Sequence, residues 1–412
     1  MEIYDVIIIG AGAAGCFAAV CLSEGAPHLK IRILEKTRQP LAKVKISGGG
    51  RCNVTHHCFD PSKLIENYPR GKDFLRNAFS RFQPQDMIDW LSRHGVEVKV
   101  EKDGRMFPTT NRSQTIIDCF LSLLQKRNVP LSLECEVVSL VKIGDQFHLE
   151  LKSGEKIQAK QVLIATGGLQ KSYALAEGLG HFIEPAIASL FTFSLQEEWI
   201  RDHSGFSVPS ARVSLQGFPL EIQGPILITH WGVSGPAVLK LSAFAARWLF
   251  AQDYQAKLFV NWTGLAEAEV QEALFLTRKQ LSSKKLEITP LFSFSKNFWK
   301  AFLAQISPSL PNLTWAQVSK QEIHKLTALL TRTSFTMIGK SLNKDEFVTS
   351  GGVSLQEVDP KTLQSKKVPG LYFAGEVLNI DGVTGGFNFQ SAWTTAFLTA
   401  QSMLQTIRIN SV

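Results

Sequence analysis

The sequence predicts an α/β protein: a Rossmann-like dinucleotide-binding domain built from both ends of the chain, interrupted by an inserted small β domain and a helical cap. Three observations lead there. A glycine-rich strand–turn–helix–strand unit opens the chain. A strand ending in Gly375-Glu376, a glycine-rich loop and a long helix close it. Between them the pattern shifts from buried parallel strands to short strands and then to amphipathic helices. The length of 412 residues suits two or three domains of roughly 150 residues. With 44% hydrophobic and 19% charged residues, the composition is globular rather than disordered.

Residues 3–9, continuously β-branched from Val6 to Ile9, read as a buried parallel strand. Gly10-Ala11-Gly12-Ala13-Ala14-Gly15 then matches G-x-G-x-x-G, and 13–23 reads as a small-residue helix. The next strand, 31–34, ends at Glu35, twenty residues after Gly15. Each part has a task. Gly10 permits the tight turn, Gly12 lets backbone approach a pyrophosphate, and Gly15 lets helix pack on strand. The helix N-terminus, with Ala13 and Ala14 in its first turn, offers unpaired N–H groups to the anion. Glu35 accepts from the ribose hydroxyls, which disfavours a 2′-phosphate and points to FAD or NAD rather than NADP. Lys36 and Lys43, and Val137 and Val138, are expected to border the same cofactor.

Several classes are excluded early. Residues 6–22 could pass for a signal-peptide core, but Glu2 and Asp5 precede them and three glycines interrupt them. No run reaches the length of a membrane span. Six cysteines lie at 16, 21, 52, 58, 119 and 135 without C-x-x-C spacing, so a reduced, cytoplasmic protein is expected, without disulfide-exchange or zinc-ribbon chemistry. No metal-ligand spacing and no Ser-His-Asp arrangement is visible. Residues 30–112 hold seventeen Lys/Arg against nine Asp/Glu, an excess equal to the whole chain's +8. Such a face suits phosphates of a nucleotide, an RNA or a membrane surface; its bland counterpart is a mildly basic solvated face.

Three later segments read as further parts of the dinucleotide site. Ser47-Gly48-Gly49-Gly50-Arg51-Cys52-Asn53 offers backbone to a ligand, with Arg51 as a cationic fork. Residues 162–168 are a strand breaking into Ala165-Thr166-Gly167-Gly168. The strand that ends in Gly375-Glu376 leads through Asp381, Gly385 and Gly386 to Phe387-Asn388-Phe389-Gln390, which opens a helix to about residue 404.

These segments resemble the FAD fold of the glutathione-reductase type. By that resemblance the A-T-G-G strand returns beside the first βαβ unit, and Glu376 holds the ribityl chain. The helix after Gly385 then points its N-terminus at the flavin pyrimidine edge and stabilises the reduced form by roughly 0.3–2 kcal/mol, some tens of millivolts at about 30 mV per 1.4 kcal/mol. No second G-x-G-x-x-G occurs, so a nicotinamide reductant would bind transiently, without a fingerprinted domain of its own. The blocks S-G-G-G-R-C-N-V-T at 47–55, G-R-M-F-P at 104–108, T-H-W-G-V-S-G-P at 229–236 and G-L-Y-F-A-G-E-V-L-N-I-D-G-V-T-G-G-F-N-F-Q at 370–390 are similar to the BaiN/YhiN-like family of flavoproteins. That resemblance implies a bacterial NAD(P)/FAD-dependent oxidoreductase. It also implies hydride delivery to an activated C=C, either in a steroid-like bile-acid intermediate or in a uridine of large-subunit ribosomal RNA. The chain departs from the pattern in a shorter, glycine-poor stretch at 169–180, and in Phe387-Asn388-Phe389-Gln390 where the family carries Tyr-Asn-Leu-Gln.

The FAD-binding domain is assigned to 1–188 and 337–412. The inserted β domain spans 189–236, with strands at 190–195, 211–215 and 226–229 and a possible completing strand near 332–340. The cap spans 237–331, with helices at 237–251, 266–281, 294–304 and 315–329. Its basic residues (Arg278, Lys279, Lys284, Lys285, Lys296, Lys300) interleave with Phe292, Phe294, Phe298 and Trp299, a pattern shared by RNA-binding surfaces and by an aromatic core under a wet lysine face. Reduction of a double bond needs a hydride and a proton. Cys52 and His230 are the expected acids, against the readings of packing thiol and structural histidine; Arg51 and Arg105 are expected on a phosphate or substrate carbonyl. The expected function is an FAD oxidoreductase moving hydride from NAD(P)H to an activated C=C, with ribosomal RNA as a possible partner. The alternatives are a reductase or oxidase of a small apolar enone, and an FAD-containing RNA-binding or assembly factor without turnover. A folate-dependent tRNA methyl-transferring flavoprotein also carries one fingerprint, but the 47–53 and 229–232 blocks speak against it.

Overall fold

The computed structural model describes residues 3–168, 173–341 and 348–410. The chain divides into two compact units, one of 1–187 and 348–412 and one of 188–347. In the first, strand β1 (Ile3–Ile9), helix α1 (Ala13–Gly25) and strand β2 (Ile31–Leu34) form the expected βαβ unit. A parallel pairing places Ile9 opposite Leu34 on one side and Ile164 on the other. The strand Lys156–Ile164 therefore returns beside the opening strand, and its last residues also pair in parallel with Leu371–Phe373, Phe373 against Ile164. Both ends of the chain thus enter one seven-stranded sheet. Val6 to Ile9 of β1 are buried, as expected of a parallel strand covered on both faces, while Ile3 at its start is exposed.

Around that sheet lies a core in which Phe17 packs edge-on to Trp90 and Trp393, with centroids at 5.0 and 5.7 Å. Trp393 belongs to the final helix Phe387–Asn410, so head and tail share this core. That helix runs past the expected end near 404. A small sheet of Thr55–His56, Val98–Val100 and Arg105–Pro108 completes the unit's basic segment.

In the second unit six strands close a barrel: Phe193–Leu195, Ser207–Leu215, Glu221–Thr229, Gly232–Ser234, Ala256–Asn261 and Thr333–Lys340. The strand Ala256–Asn261 lies between two expected helices of a stretch that the sequence read mainly as helical. It pairs with both Ser207–Leu215 and Thr333–Lys340 and so cannot be left out of the closure. The 237–251 helix is two, Pro236–Phe244 and Ala246–Phe250. The cap does not stand apart from the barrel: residues from Phe191 to Met337 share one core. Phe294, Phe298, Trp299 and Phe302 are buried in it, so these four aromatics are core and present no stacking face to RNA.

Candidate functional site

Gly10 turns the chain out of β1 with φ +105°. A Cβ there would lie 2.5 Å from the Ala165 carbonyl oxygen, and one on Gly15 would collide with the Gly10 carbonyl oxygen. Gly12, between them, has nothing within 4 Å of its Cβ position. Internal packing therefore demands Gly10 and Gly15, whereas Gly12 faces open space. α1 begins there with Gly12 at its N-cap and no side-chain cap, which leaves its first N–H groups to an outside acceptor. Glu35 closes this mouth. Its Oε2 accepts from the Ala11 N–H at 2.9 Å, and its Oε1 from the Thr37 N–H and hydroxyl at 2.9 and 2.8 Å. The Cys135 N–H donates to the Glu35 carbonyl at 2.8 Å, which brings the strand start at Val137 and Val138 to the same end. Lys36 is exposed beside it.

The turn after Ile164 is tied to β1 by the Ala165 N–H on the Ile9 carbonyl at 2.8 Å. Past Thr166 and Gly167, a Cβ on Gly168 would lie 3.0 Å from Glu376 Cγ and from Thr349 Cβ. A Cβ on Gly375 would lie 2.9 Å from Ala14 Cβ, so the late strand end sits directly on the first helix. Lys43 forms an ion pair with Glu376, which also accepts from the Thr349 N–H at 3.3 Å. Five distant stretches (the first turn, Lys43, the A-T-G-G turn, Thr349 and Gly375-Glu376) thus converge. Tyr173 was not anticipated in this group. Its buried hydroxyl has no partner among the described residues, and burial, reinforced by the Glu376 charge, raises its pKa. Of the shortened 169–180 stretch, Leu169 to Ser172 lie outside the described residues, and a short helix, Ala174–Gly178, follows.

The 47–53 loop is structured differently from expectation. Ser47 leaves the helix and Gly48, Gly49 and Gly50 take positive φ. Arg51 is no free fork: its Nη1 pairs with Glu101 at 2.6 Å, and its guanidinium lies 4.0 Å from the centre of the Phe107 ring. Arg105 is likewise held by Asp103 and Glu101 at 2.7 and 3.1 Å. Cys52 is wholly buried in the first unit's core, and burial pushes its thiol up to about 12. A thiol so placed is packing, not a proton donor to a ligand. Asn53 is spent on the Met106 N–H at 3.3 Å.

The C-terminal loop also uses several expected ligand residues internally. Asp381 is fully buried in a two-pronged ion pair with Arg70. Asn388 brackets Gly382, accepting from its N–H and donating to its carbonyl, each at 2.8 Å. Buried Gln390 accepts from the Thr55 hydroxyl at 2.6 Å and donates to Thr394 at 3.1 Å. A Cβ on Gly386 would lie 2.5 Å from the Thr55 carbonyl oxygen. His56 stacks on Phe387 at 4.5 Å and its Nδ1 meets the Gly385 carbonyl at 3.0 Å, while burial lowers its pKa. Phe389 stacks on Trp393 at 5.7 Å, a repacking of the Tyr-Asn-Leu-Gln position. His230 belongs to the second unit, exposed in the turn between Glu221–Thr229 and Gly232–Ser234.

Residues 4–402 match the family model of the HI0933-like protein Rossmann domain. The chain belongs to the HI0933-like family. Its relatives within reach of sequence include a ribosomal RNA dihydrouridine synthase of Escherichia coli (strain K12), 31% identical over 98% of this chain and 99% of the relative. A 3-dehydro-bile acid delta(4,6)-reductase of Clostridium scindens is 25% identical over 96% of this chain and 98% of the relative. Among solved structures, the 3-ketosteroid delta1-dehydrogenase of Sterolibacterium denitrificans superposes with a TM-score of 0.53, at 13% identity and 98% and 100% coverage, a likeness of fold. This HI0933-like chain is an FAD-dependent oxidoreductase. Its residues fit the cofactor: the void at Gly12, the uncapped helix start and the pinned Glu35 carboxylate supply an open anion site with a ribose acceptor beside it. No helix among the described residues is long and apolar enough to cross a membrane.

Proposed function

We propose that this chain reduces a uridine of large-subunit ribosomal RNA to dihydrouridine with electrons from NAD(P)H. The observation that carries the reading is the 31% identity to a ribosomal RNA dihydrouridine synthase along nearly the whole of both chains. Bound FAD supplies a two-electron relay able to take up a hydride and pass it to an electron-poor C=C. The C5–C6 bond of uracil is such an acceptor, being conjugated to the C4 carbonyl. Hydride adds at C6 and a proton at C5, while NAD(P)H is oxidised to NAD(P)+.

The chain's own residues bind and orient. Gly12 and the open N–H groups at Ala13 and Ala14 take the pyrophosphate, and Glu35 takes the ribose hydroxyls. Gly167, Gly168, Lys43 and Glu376 border the ribityl side. The positive end of the C-terminal helix, after Gly385 and Gly386, stabilises added negative charge. The basic excess of 30–112 attracts RNA phosphates. With Cys52 buried, the exposed His230 is the remaining acid of the two first considered.

The test is dihydrouridine mapping of ribosomal RNA from a strain lacking the gene. One dihydrouridine should vanish and return when the gene is restored; an unchanged map would sink the RNA reading. The Clostridium scindens relative supports a second reading, reduction of a conjugated ketosteroid-like enone. An unchanged map together with NAD(P)H-driven turnover of such an enone would favour it.

A further inference from the structure

The barrel carries a pocket of about 280 Å³ that none of the chemistry above uses. It is lined by Ser194, Leu195, Arg201, Trp231, Ile338 and Lys340. Ser194 pairs with Gly339 across adjacent strands, and the Leu195 N–H donates to the Trp231 carbonyl at 2.9 Å, so the walls are backbone-tied rather than loose.

Three features of the lining call for a ligand. Trp231 is 58% exposed, whereas the other seven tryptophans are buried or half-buried. Its indole has no ring partner among the described residues, and Ile338 beside it is 52% exposed. Next, Arg201 is fixed by an Nη2 bond to the Gln196 carbonyl at 2.8 Å, yet its Nε is buried with no acceptor among the described residues. A buried donor left unpaired is costly. Finally, neither Arg201 nor Lys340 has a carboxylate partner among the described residues; the Lys340 ammonium rests 4.1 Å from the centre of the Tyr254 ring. The Glu197 carboxylate, the acid closest to Arg201 along the chain besides Glu198 and Asp202, is taken up by the Thr336 N–H at 2.9 and 3.1 Å.

An exposed aromatic face beside two unneutralised cations is the chemistry of a nucleotide, a flat base plus a phosphate. We propose that this pocket holds one nucleotide of a single-stranded RNA segment, its base on Trp231 and its phosphate on Arg201 and Lys340. The RNA source rests on the function proposed above. A nicotinamide dinucleotide has the same chemistry, but the volume lies at the lower edge of the ~300–1,000 Å³ typical of drug-sized ligands, room for one nucleotide rather than two.

The experiment measures binding of a fluorescent oligouridylate to the FAD-loaded full chain across a salt series, alongside NADH and NADPH affinity. Trp231→Ala should weaken oligouridylate binding roughly five- to 150-fold, the loss of one base stack, and Trp231→Phe should recover most of it. Lys340→Ala and Arg201→Gln should each flatten the log K against log salt slope by about 0.7. FAD content, melting temperature and nicotinamide affinity should stay at wild-type values for Trp231→Ala and Lys340→Ala. Oligouridylate binding unchanged in a folded Trp231→Ala variant overturns the proposal, as does a fall in nicotinamide affinity alone. Binding needs no turnover, so a Trp231-dependent RNA contact in a chain that leaves ribosomal RNA unmodified would refute the proposed function and not the pocket.

Discussion

Individual glycines and thiols carry opposite lessons about what a residue type means. Gly12 and Gly15 look equivalent in the fingerprint, yet only Gly15 is hemmed in by backbone. Gly15→Ala should destabilise the fold by about 1–3 kcal/mol through overpacking and lower the melting temperature. Gly12→Ala should melt like the wild type but bind FAD roughly five- to 150-fold more weakly, the equivalent of 1–3 kcal/mol of lost contacts. Flavin titration of the two apo-proteins separates these outcomes. Cys52 invited a proton-donor role because it sits in a glycine-rich block, but side-chain burial is not written in the residue's neighbours. Its thiol is held up to about 12, against about 8.5 for a free cysteine. Between those values the folded chain retains a proton that the unfolded chain loses. The thiol's contribution is therefore full below about pH 8.5 and is lost as pH rises towards 12. Urea midpoints across alkaline pH should fall less steeply for Cys52→Ala than for the wild type.

At the scale of elements, the loop entering the C-terminal helix is braced before any ligand arrives. Asn388 closes two hydrogen bonds on Gly382, and Asp381 is locked to Arg70. Asn388→Ala leaves the Gly382 N–H and carbonyl unpaired and should cost about 1–3 kcal/mol. Amide exchange at 381–386 should quicken before global unfolding, and uniform protection throughout would contradict the bracing role. The helix and its preceding glycines were legible as a unit because composition and order mark a helix start. That Asp381 and Gln390 would face inward was not, since that depends on Arg70 and Thr55, more than three hundred residues away. The same holds for the cap: periodicity identified its helices, but the barrel strand Ala256–Asn261 among them is specified by its partners on either side.

For the whole molecule, the insertion leaves and re-enters the first unit through one ribbon, Ile183–Ser189 with Val348–Val353. The Ser354 N–H meets the Phe182 carbonyl at 3.0 Å, and a Cβ on Gly351 would lie 2.5 Å from the Pro185 carbonyl oxygen. The contacts run in opposite directions, so Ile187 and Val348 lie close together. Replacing 188–347 by a short Gly/Ser turn should leave a folded, yellow FAD-binding unit that has lost substrate turnover. A colourless or insoluble product would show that the first unit depends on the second for its fold.

The opening βαβ unit was decided by the sequence alone. It is a local pattern, a hydrophobic period broken by glycine at a set distance from an acid, and local patterns survive without knowledge of neighbours. The return of the A-T-G-G strand beside it was implied only by the resemblance to the glutathione-reductase-type FAD fold, and the parallel pairing of the two strands bears it out. Tertiary structure alone decided which charged and polar side chains remain free. Arg51, Asp381 and Gln390 are consumed by remote partners and Asn388 by Gly382 close by, Tyr173 is left without one among the described residues, and Trp231 stays in the open. The availability of a hydrogen-bonding or charged group is set by what the folded chain brings within about 3 Å of it, and no spacing along the sequence encodes that distance.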